Sequence, residues 1–123
     1  MIIRRIERIA VQARGDPKIK AELGYRIKGW GKRRGEKALV YFIPNRKNKN
    51  KDYQKGVTVS EFEKAYKQIV TNVTFSRTWF KTNMQPYAKE GGCNFIFVGN
   101  IFKLIGIVAY DKSERRVYRR KGP

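Results

Sequence analysis

The sequence predicts an α+β fold, a small antiparallel sheet packed with two to four helices. Three observations carry this expectation. Residues 38–43, ALVYFI, are a short apolar run closed by Pro44, the pattern of a buried strand. Residues 58–71, TVSEFEKAYKQIVT, place Phe62, Ala65, Tyr66, Ile69 and Val70 on one helical face. Residues 107–121, IVAYDKSERRVYRRK, run from an apolar segment through the polar turn Asp111-Lys112-Ser113-Glu114 into a basic strand, the pattern of a hairpin. A chain of 123 residues is long enough for one small domain, 1–123, with a modest core.

The N-terminal segment, 1–35, reads as mainly helical. Ile2, Ile3, Ile6, Ile9, Ala10 and Ala13 recur at helical spacing between Arg4, Arg5, Arg8 and Gln12, so residues 2–13 are expected to form an amphipathic helix; the run of isoleucines makes a strand the competing reading. Gly15-Asp16-Pro17 breaks the chain. Asp16 as N-cap, Pro17 in the first turn and Gly24 as C-cap predict a short helix over 17–23. Residues 24–37 hold four glycines and six cations around Trp30. Such a loop lets backbone approach phosphate while Trp30 stacks on a base; a solvated hairpin turn with Trp30 folded onto the core explains the same residues. Residues 45–56, NRKNKNKDYQKG, are expected to be an exposed basic loop able to follow a phosphate backbone.

Residues 57–123 supply the rest. Ser60 with Glu63 fits a capping box, and Thr58 with Glu61 offers the same pattern earlier. Ser76 is placed to cap a second helix over 77–84, ending before Pro86, with Arg77, Thr78, Lys81 and Thr82 outward and Phe80 and Met84 inward. Two helices joined by a short turn, the second short and basic, give the outline of a helix-turn-helix, and any helical hairpin gives it too. In residues 94–110, NFIFVGNIFKLIGIVAY, Gly99-Asn100 between apolar runs predicts a turn between strands 94–98 and 101–110, followed by strand 114–120. A buried helix over about 97–105 ended by Gly106 is the alternative.

Charge bounds the function. The chain has 29 Lys and Arg against 10 Asp and Glu, a net charge of +19. A compact domain so charged repels itself, and an anionic partner is the usual reason to tolerate it. Nucleic acid is the first candidate and a membrane surface the second. No apolar run approaches the length of a membrane span. One cysteine and no histidine exclude an internal disulfide, a standard Cys/His zinc site, and Ser-His-Asp or Cys-His catalysis. Cys93 is expected to be a packing thiol. The segment MIIRRIERIAVQARG lacks the long apolar stretch of a secretory signal, and a cytoplasmic location is expected. Residues 24–37 hold no Walker loop. The acids form no Asp…Glu-x-Lys nuclease cluster, and Glu61-Phe62-Glu63-Lys64 sits at a helix start, where acids offset the dipole. No metal, cofactor or catalytic residue is therefore assigned.

Two families are resembled. A strand at 38–43, helices at 59–71 and 77–84, a terminal meander and the run IFKLIGIVAYD at 101–111 resemble the RelE/HigB-type toxin ribonucleases. That resemblance covers about 80 residues and implies RNA cleavage without metal. Independently of it, Arg, Lys and Tyr side chains suffice for such cleavage, and Lys103, Tyr110, Arg115, Arg116, Tyr118 and Arg119 are the available set. The chain departs from the family in having no C-terminal His and in carrying an N-terminal extension. The order helix, strand, helix, helix, hairpin is similar to that of winged-helix domains. This second resemblance implies a DNA-binding surface with the helix at 77–84 in the major groove and the hairpin at 107–120 as its wing.

The sequence thus points to nucleic-acid binding, with DNA favoured over RNA. The expected contacts are Trp30, Lys32, Arg33, Arg34, Arg46, Lys47, Lys49, Lys51, Arg77, Lys81, Arg115, Arg116, Arg119, Arg120 and Lys121. A metal-independent ribonuclease is one alternative, and a protein that docks on an acidic or nucleoprotein partner is another.

Overall fold

The computed structural model describes residues 2–43, 52–84 and 93–121. Among them the elements run α1 (Ile2–Gly15), α2 (Pro17–Leu23), β1 (Arg26–Arg33), β2 (Glu36–Ile43), β3 (Tyr53–Thr58), α3 (Val59–Asn72), β4 (Thr74–Ser76), α4 (Arg77–Asn83), α5 (Cys93–Ile105), β5 (Val108–Tyr110) and β6 (Val117–Arg120). The fold is α+β, as expected, with its antiparallel pairing divided between two three-stranded sheets, β1-β2-β3 and β4-β6-β5.

Local chemistry accounts for most boundaries. In α1, Ile6, Ala10 and Ala13 lie one and two turns apart and are buried. The α1 face also carries Arg5, whose Nη2 donates to the Ile105 carbonyl at the end of α5 (3.0 Å), where a cation suits the helix dipole. Asp16 caps α2 by accepting from the Lys18 amide (2.9 Å), and Gly24 closes it in the left-handed region. In α3 the capping box falls on Thr58 and Glu61. The Glu61 amide donates to Thr58 Oγ1 (3.2 Å), and the Thr58 amide donates to Glu61 Oε1 (3.0 Å). Phe62, Ala65 and Ile69 of α3 are buried, whereas Val70, assigned to the same face, is 47% exposed. In α4 the Ser76 hydroxyl accepts from the Trp79 amide (3.0 Å), and Phe80 and Met84 point inward.

Five expectations are corrected. Residues 24–37 are not an open loop but follow the hairpin alternative: β1 pairs along β2, with Trp30 opposite Leu39 and packed against the core, and the turn is confined to Arg34-Gly35. For the same reason the segment 1–35 is helical only as far as Leu23. The basic loop at 45–56 ends earlier than expected, because Tyr53–Thr58 pair with β2; its residues 45–51 lie outside the described ones. Residues 94–106 form no strands. They make α5, with Gly106 following at φ 93. The terminal sheet is therefore not a three-stranded meander of consecutive strands: the β5–β6 hairpin recruits β4, and Phe75 pairs with Tyr118.

One hydrophobic cluster joins both sheets and all five helices. At one end Tyr41 of β2 stacks on Phe97 of α5, with ring centroids 3.9 Å apart, and the Tyr41 hydroxyl donates to Asn94 Oδ1 (2.5 Å). At the other end Phe95 of α5 packs between Phe75 (4.9 Å) and Tyr118 (5.5 Å). Helix α5 is thus the shared spine: opposite faces of its first turns, carrying Phe97 and Phe95, tie the β1–β2–β3 sheet to the terminal sheet. No helix among the described residues is long and apolar enough to cross a membrane.

Candidate nucleic-acid interface

The β5–β6 hairpin is fixed by its own side chains. Asp111 Oδ1 accepts from the Ser113 amide (2.8 Å) and hydroxyl (2.6 Å), a local turn that this residue type favours. These bonds and the Arg119 guanidinium hold the Asp111 carboxyl well below the usual carboxylate range. Arg119 pairs with both acids of the turn, Asp111 and Glu114. The acids are thereby gathered on one cation, and the remaining basic residues of the turn are left for other anions.

Those residues converge with α4 and α5. A cleft of about 490 Å³ is lined by Arg77 of α4, by Phe95, Ile96, Asn100 and Lys103 of α5, and by Tyr110, Lys112, Arg115, Arg116 and Tyr118 of the hairpin. Five cations line it and no carboxylate does. A second cleft of about 310 Å³ adjoins it, sharing Arg77, Arg115 and Arg116 and adding Ser76, Thr78, Lys81, Glu114 and Val117. Among the described residues Arg77, Lys103, Lys112, Arg115 and Arg116 form no ion pair, and the Arg77 Nε is buried without a hydrogen-bond partner. Five unneutralised cations in one concave surface focus a positive potential.

The backbone that presents them is held tightly. Arg116 sits in the left-handed region at φ 62, which a non-glycine residue adopts only where its surroundings fix it. Its amide donates to the Tyr110 hydroxyl (3.0 Å), and its carbonyl accepts from the Arg77 amide (3.1 Å). The Tyr118 ring, 3% exposed, forms the inner wall, and its hydroxyl donates to Asn100 Oδ1 (3.0 Å). Burial, with lesser contributions from Tyr110 and Tyr25, pushes the Tyr118 phenol up to about 12. It stays neutral at physiological pH and serves as a donor.

The expected contact residues fall into distinct groups. Arg77, Lys81, Arg115 and Arg116 come together along the two clefts. Arg119 is engaged by acids, and strand alternation turns it to the face opposite Tyr118. Arg120 Nη1 donates to the Val70 carbonyl at the end of α3 (2.8 Å), while Lys121 is exposed and its amide donates to the Ile107 carbonyl (2.9 Å). Arg34 donates to Glu61 and to the Gly56 carbonyl, and so ties the β1–β2 turn to the start of α3. Burial raises the Glu61 carboxyl above its ordinary range, and Arg34 opposes that shift. Trp30 is half-buried under the Lys37 ammonium, 4.6 Å from its ring centroid. Lys32 is exposed on β1, and Arg33 Nη1 donates to the Lys32 carbonyl (2.9 Å). Trp30 and Arg33 line a separate cleft that shares no residue with the main one. Arg46, Lys47, Lys49 and Lys51 lie outside the described residues.

Sequence reasoning about the site missed Phe95, Ile96, Asn100 and Lys112 altogether, and named Lys103, Tyr110 and Tyr118 only for the ribonuclease alternative. A signal was present: Ile96, Asn100 and Lys103 stand at i, i+4 and i+7, one face of a helix, and the strand reading of this segment hid it. Five of the six residues available for metal-independent RNA cleavage, Lys103, Tyr110, Arg115, Arg116 and Tyr118, do line the cleft, and Arg119 does not. Among the described residues no group of His, Cys, Asp and Glu is placed to hold a metal ion. No protein-family model matches the chain, and comparison with curated proteins and with solved structures gives no match.

Proposed function

We propose that this chain binds DNA, holding the strand by phosphate contacts along the two adjoining clefts. The observation that carries this reading is the convergence of Arg77, Lys103, Lys112, Arg115 and Arg116, from three elements, on a concave surface with no lining carboxylate. Guanidinium and ammonium groups presented together without acid partners suit a run of phosphates. DNA is favoured because α4 lies beside the hairpin, joined by the Arg77 amide to Arg116 carbonyl bond (3.1 Å). A short basic helix next to a basic hairpin is the helix-and-wing pairing with which winged-helix domains hold DNA. Arg77 and Lys81 belong to the helix in this reading, and Lys112, Arg115 and Arg116 belong to the wing.

Fluorescence anisotropy with labelled DNA and RNA of one sequence tests it. DNA binding is expected, weakened across all sequences when Arg115 and Arg116 are both replaced by Gln. Tighter binding to RNA would overturn the choice of polymer, and no binding to either would overturn the reading.

A second reading, metal-independent RNA cleavage, has in its favour five of the six Arg, Lys and Tyr residues available for it, which stand around the main cleft. The Tyr118 phenol is poorly suited to act as a base there, being buried, bonded to Asn100 and pushed up to about 12. Intact RNA after incubation in EDTA is the expected result; cleavage that is lost in Tyr118→Phe would reverse this ordering.

A further inference from the structure

The main cleft contains more than phosphate binding requires. Contacts to a nucleic-acid backbone need cations and polar donors. Yet Phe95, Ile96, Tyr110 and Tyr118 form much of this surface. Ile96 and Tyr110 are 39% and 43% exposed, and they are two of only six large hydrophobic residues so exposed among the described residues. Both open on the same cleft. The part of each side chain that is left in water there adds nothing to folding, because that area is not removed from solvent. An aromatic ring and an aliphatic side chain inside a ring of cations match a ligand that is planar and apolar at one end and anionic at the other.

The size and rigidity of the site fit the same description. At about 490 Å³ it lies in the range of pockets that enclose small organic groups. The Tyr110 ring is held in place, since its hydroxyl accepts from the Arg116 amide (3.0 Å) and its ring meets Tyr118 edge to face at 5.2 Å. A platform fixed in this way loses little freedom when a base stacks on it. The one side-chain amide that lines the cleft is already engaged at both of its ends. Asn100 Oδ1 accepts from Tyr118, and Asn100 Nδ2 donates to the Leu23 carbonyl (3.0 Å). Recognition is then by stacking and charge, which every base satisfies.

We propose that the cleft takes one unpaired nucleotide of the bound DNA, its base against Tyr110 and Ile96 and its phosphates on Arg77, Arg115 and Arg116. This inference rests on the DNA-binding reading and sharpens it: the preferred ligand is single-stranded DNA or duplex with an unpaired nucleotide, not a fully paired duplex.

The test compares three labelled probes in anisotropy titrations at one salt concentration: single-stranded DNA, the fully paired duplex, and that duplex with one unpaired nucleotide. The two probes with unpaired bases are expected to bind about tenfold more tightly than the paired duplex, the scale of one base stacked on an aromatic ring. Tyr110→Leu, which removes the stacking ring, should weaken the two probes with unpaired bases more than the paired duplex and so abolish that preference, whereas Tyr110→Phe, which keeps the ring, should retain most of it. Ile96→Ser, at a half-exposed position, should reduce the preference and so provides the test if Tyr110→Leu fails to fold. Equal binding of all three probes, unaffected by these variants, would overturn the unpaired-nucleotide site while DNA binding stands. Binding of none would overturn the DNA-binding reading itself.

Discussion

A Cβ atom at Gly99 would lie 2.2 Å from two ring carbons of Tyr118, Cε2 and Cζ. The aromatic ring therefore rests directly on the backbone of α5, and its hydroxyl reaches the next residue, Asn100. This contact seats the central strand of the terminal sheet on the helix spine and sets the depth of the cationic cleft. Gly99→Ala is expected to destabilise the protein by about 1–3 kcal/mol, because a packed core resists an added methyl group. Chemical denaturation measures the loss. A double-mutant cycle with Tyr118→Leu should show strong coupling between the two sites, and strict additivity would mean that the ring does not depend on the glycine.

Arg116 and Arg119, three residues apart in one hairpin, should behave differently. Arg119 is held by Asp111 and Glu114, whereas Arg116 lines both clefts without an acid partner. Arg116→Ala is expected to weaken DNA binding about tenfold, as loss of a hydrogen bond to a charged group typically does. Arg119→Ala should change affinity by less than about twofold, since it mainly removes exposed ion pairs of small individual value. Side-by-side binding isotherms at one salt concentration check the contrast.

Acid should loosen the hairpin. The Asp111 carboxyl is held low first by the Ser113 hydrogen bond and next by that of Arg119. A carboxyl with a depressed value in the folded state contributes stability above its unfolded value, about 3.9, and that contribution is lost as pH falls through the folded value. The Ser113 amide and Arg119 Nε resonances are expected to shift together only well below the ordinary carboxylate value of about 3.9, where the lowered Asp111 carboxyl takes up its proton. Asp111→Asn should abolish that transition. A Ser113 titration that persists in the variant would place its cause elsewhere.

The capping box of α3 yields a stability test. Thr58→Ala should cost about 0.5–2 kcal/mol, because Thr58 Oγ1 accepts from the Glu61 amide. Ser60→Ala should cost less, since Ser60 lies inside the helix and is not its cap. Thermal denaturation of the two variants decides the register that the sequence left open between Thr58 with Glu61 and Ser60 with Glu63.

Most helices were legible because their ends are written in side chains. Asp16, Pro17 and Gly24 bound α2, and Ser76 starts α4 where it was expected. Helix α5 was not legible as a helix first. Phe95, Phe97, Val98, Ile101 and Phe102 are all buried, so its apolar residues go nearly all the way round and leave no stripe for periodicity to detect. Gly99-Asn100 supplied a false turn signal. Gly99 is there for close packing against Tyr118, and Asn100 bonds Tyr118 and Leu23. Strand β3 was hidden because Tyr53, Gln54 and Lys55 are polar or exposed along the edge of its sheet, so its buried end is only Gly56, Val57 and Thr58, of which Val57 alone is a large apolar residue. The site followed the same division. Arg77, Lys81, Arg115 and Arg116 stood out as cations in basic segments, but the wall formed by Ile96, Asn100 and Lys103 required α5 to be a helix.

The most direct measurement is the salt dependence of DNA affinity for the wild-type chain and for the triple variant Arg77→Gln, Arg115→Gln, Arg116→Gln. The account predicts a linear fall of log affinity with log salt. It also predicts a slope shallower by about 2 in the triple variant, from three lost phosphate contacts at roughly 0.7 each on single strands. A flat response in the wild type, or the same slope in both proteins, would contradict it.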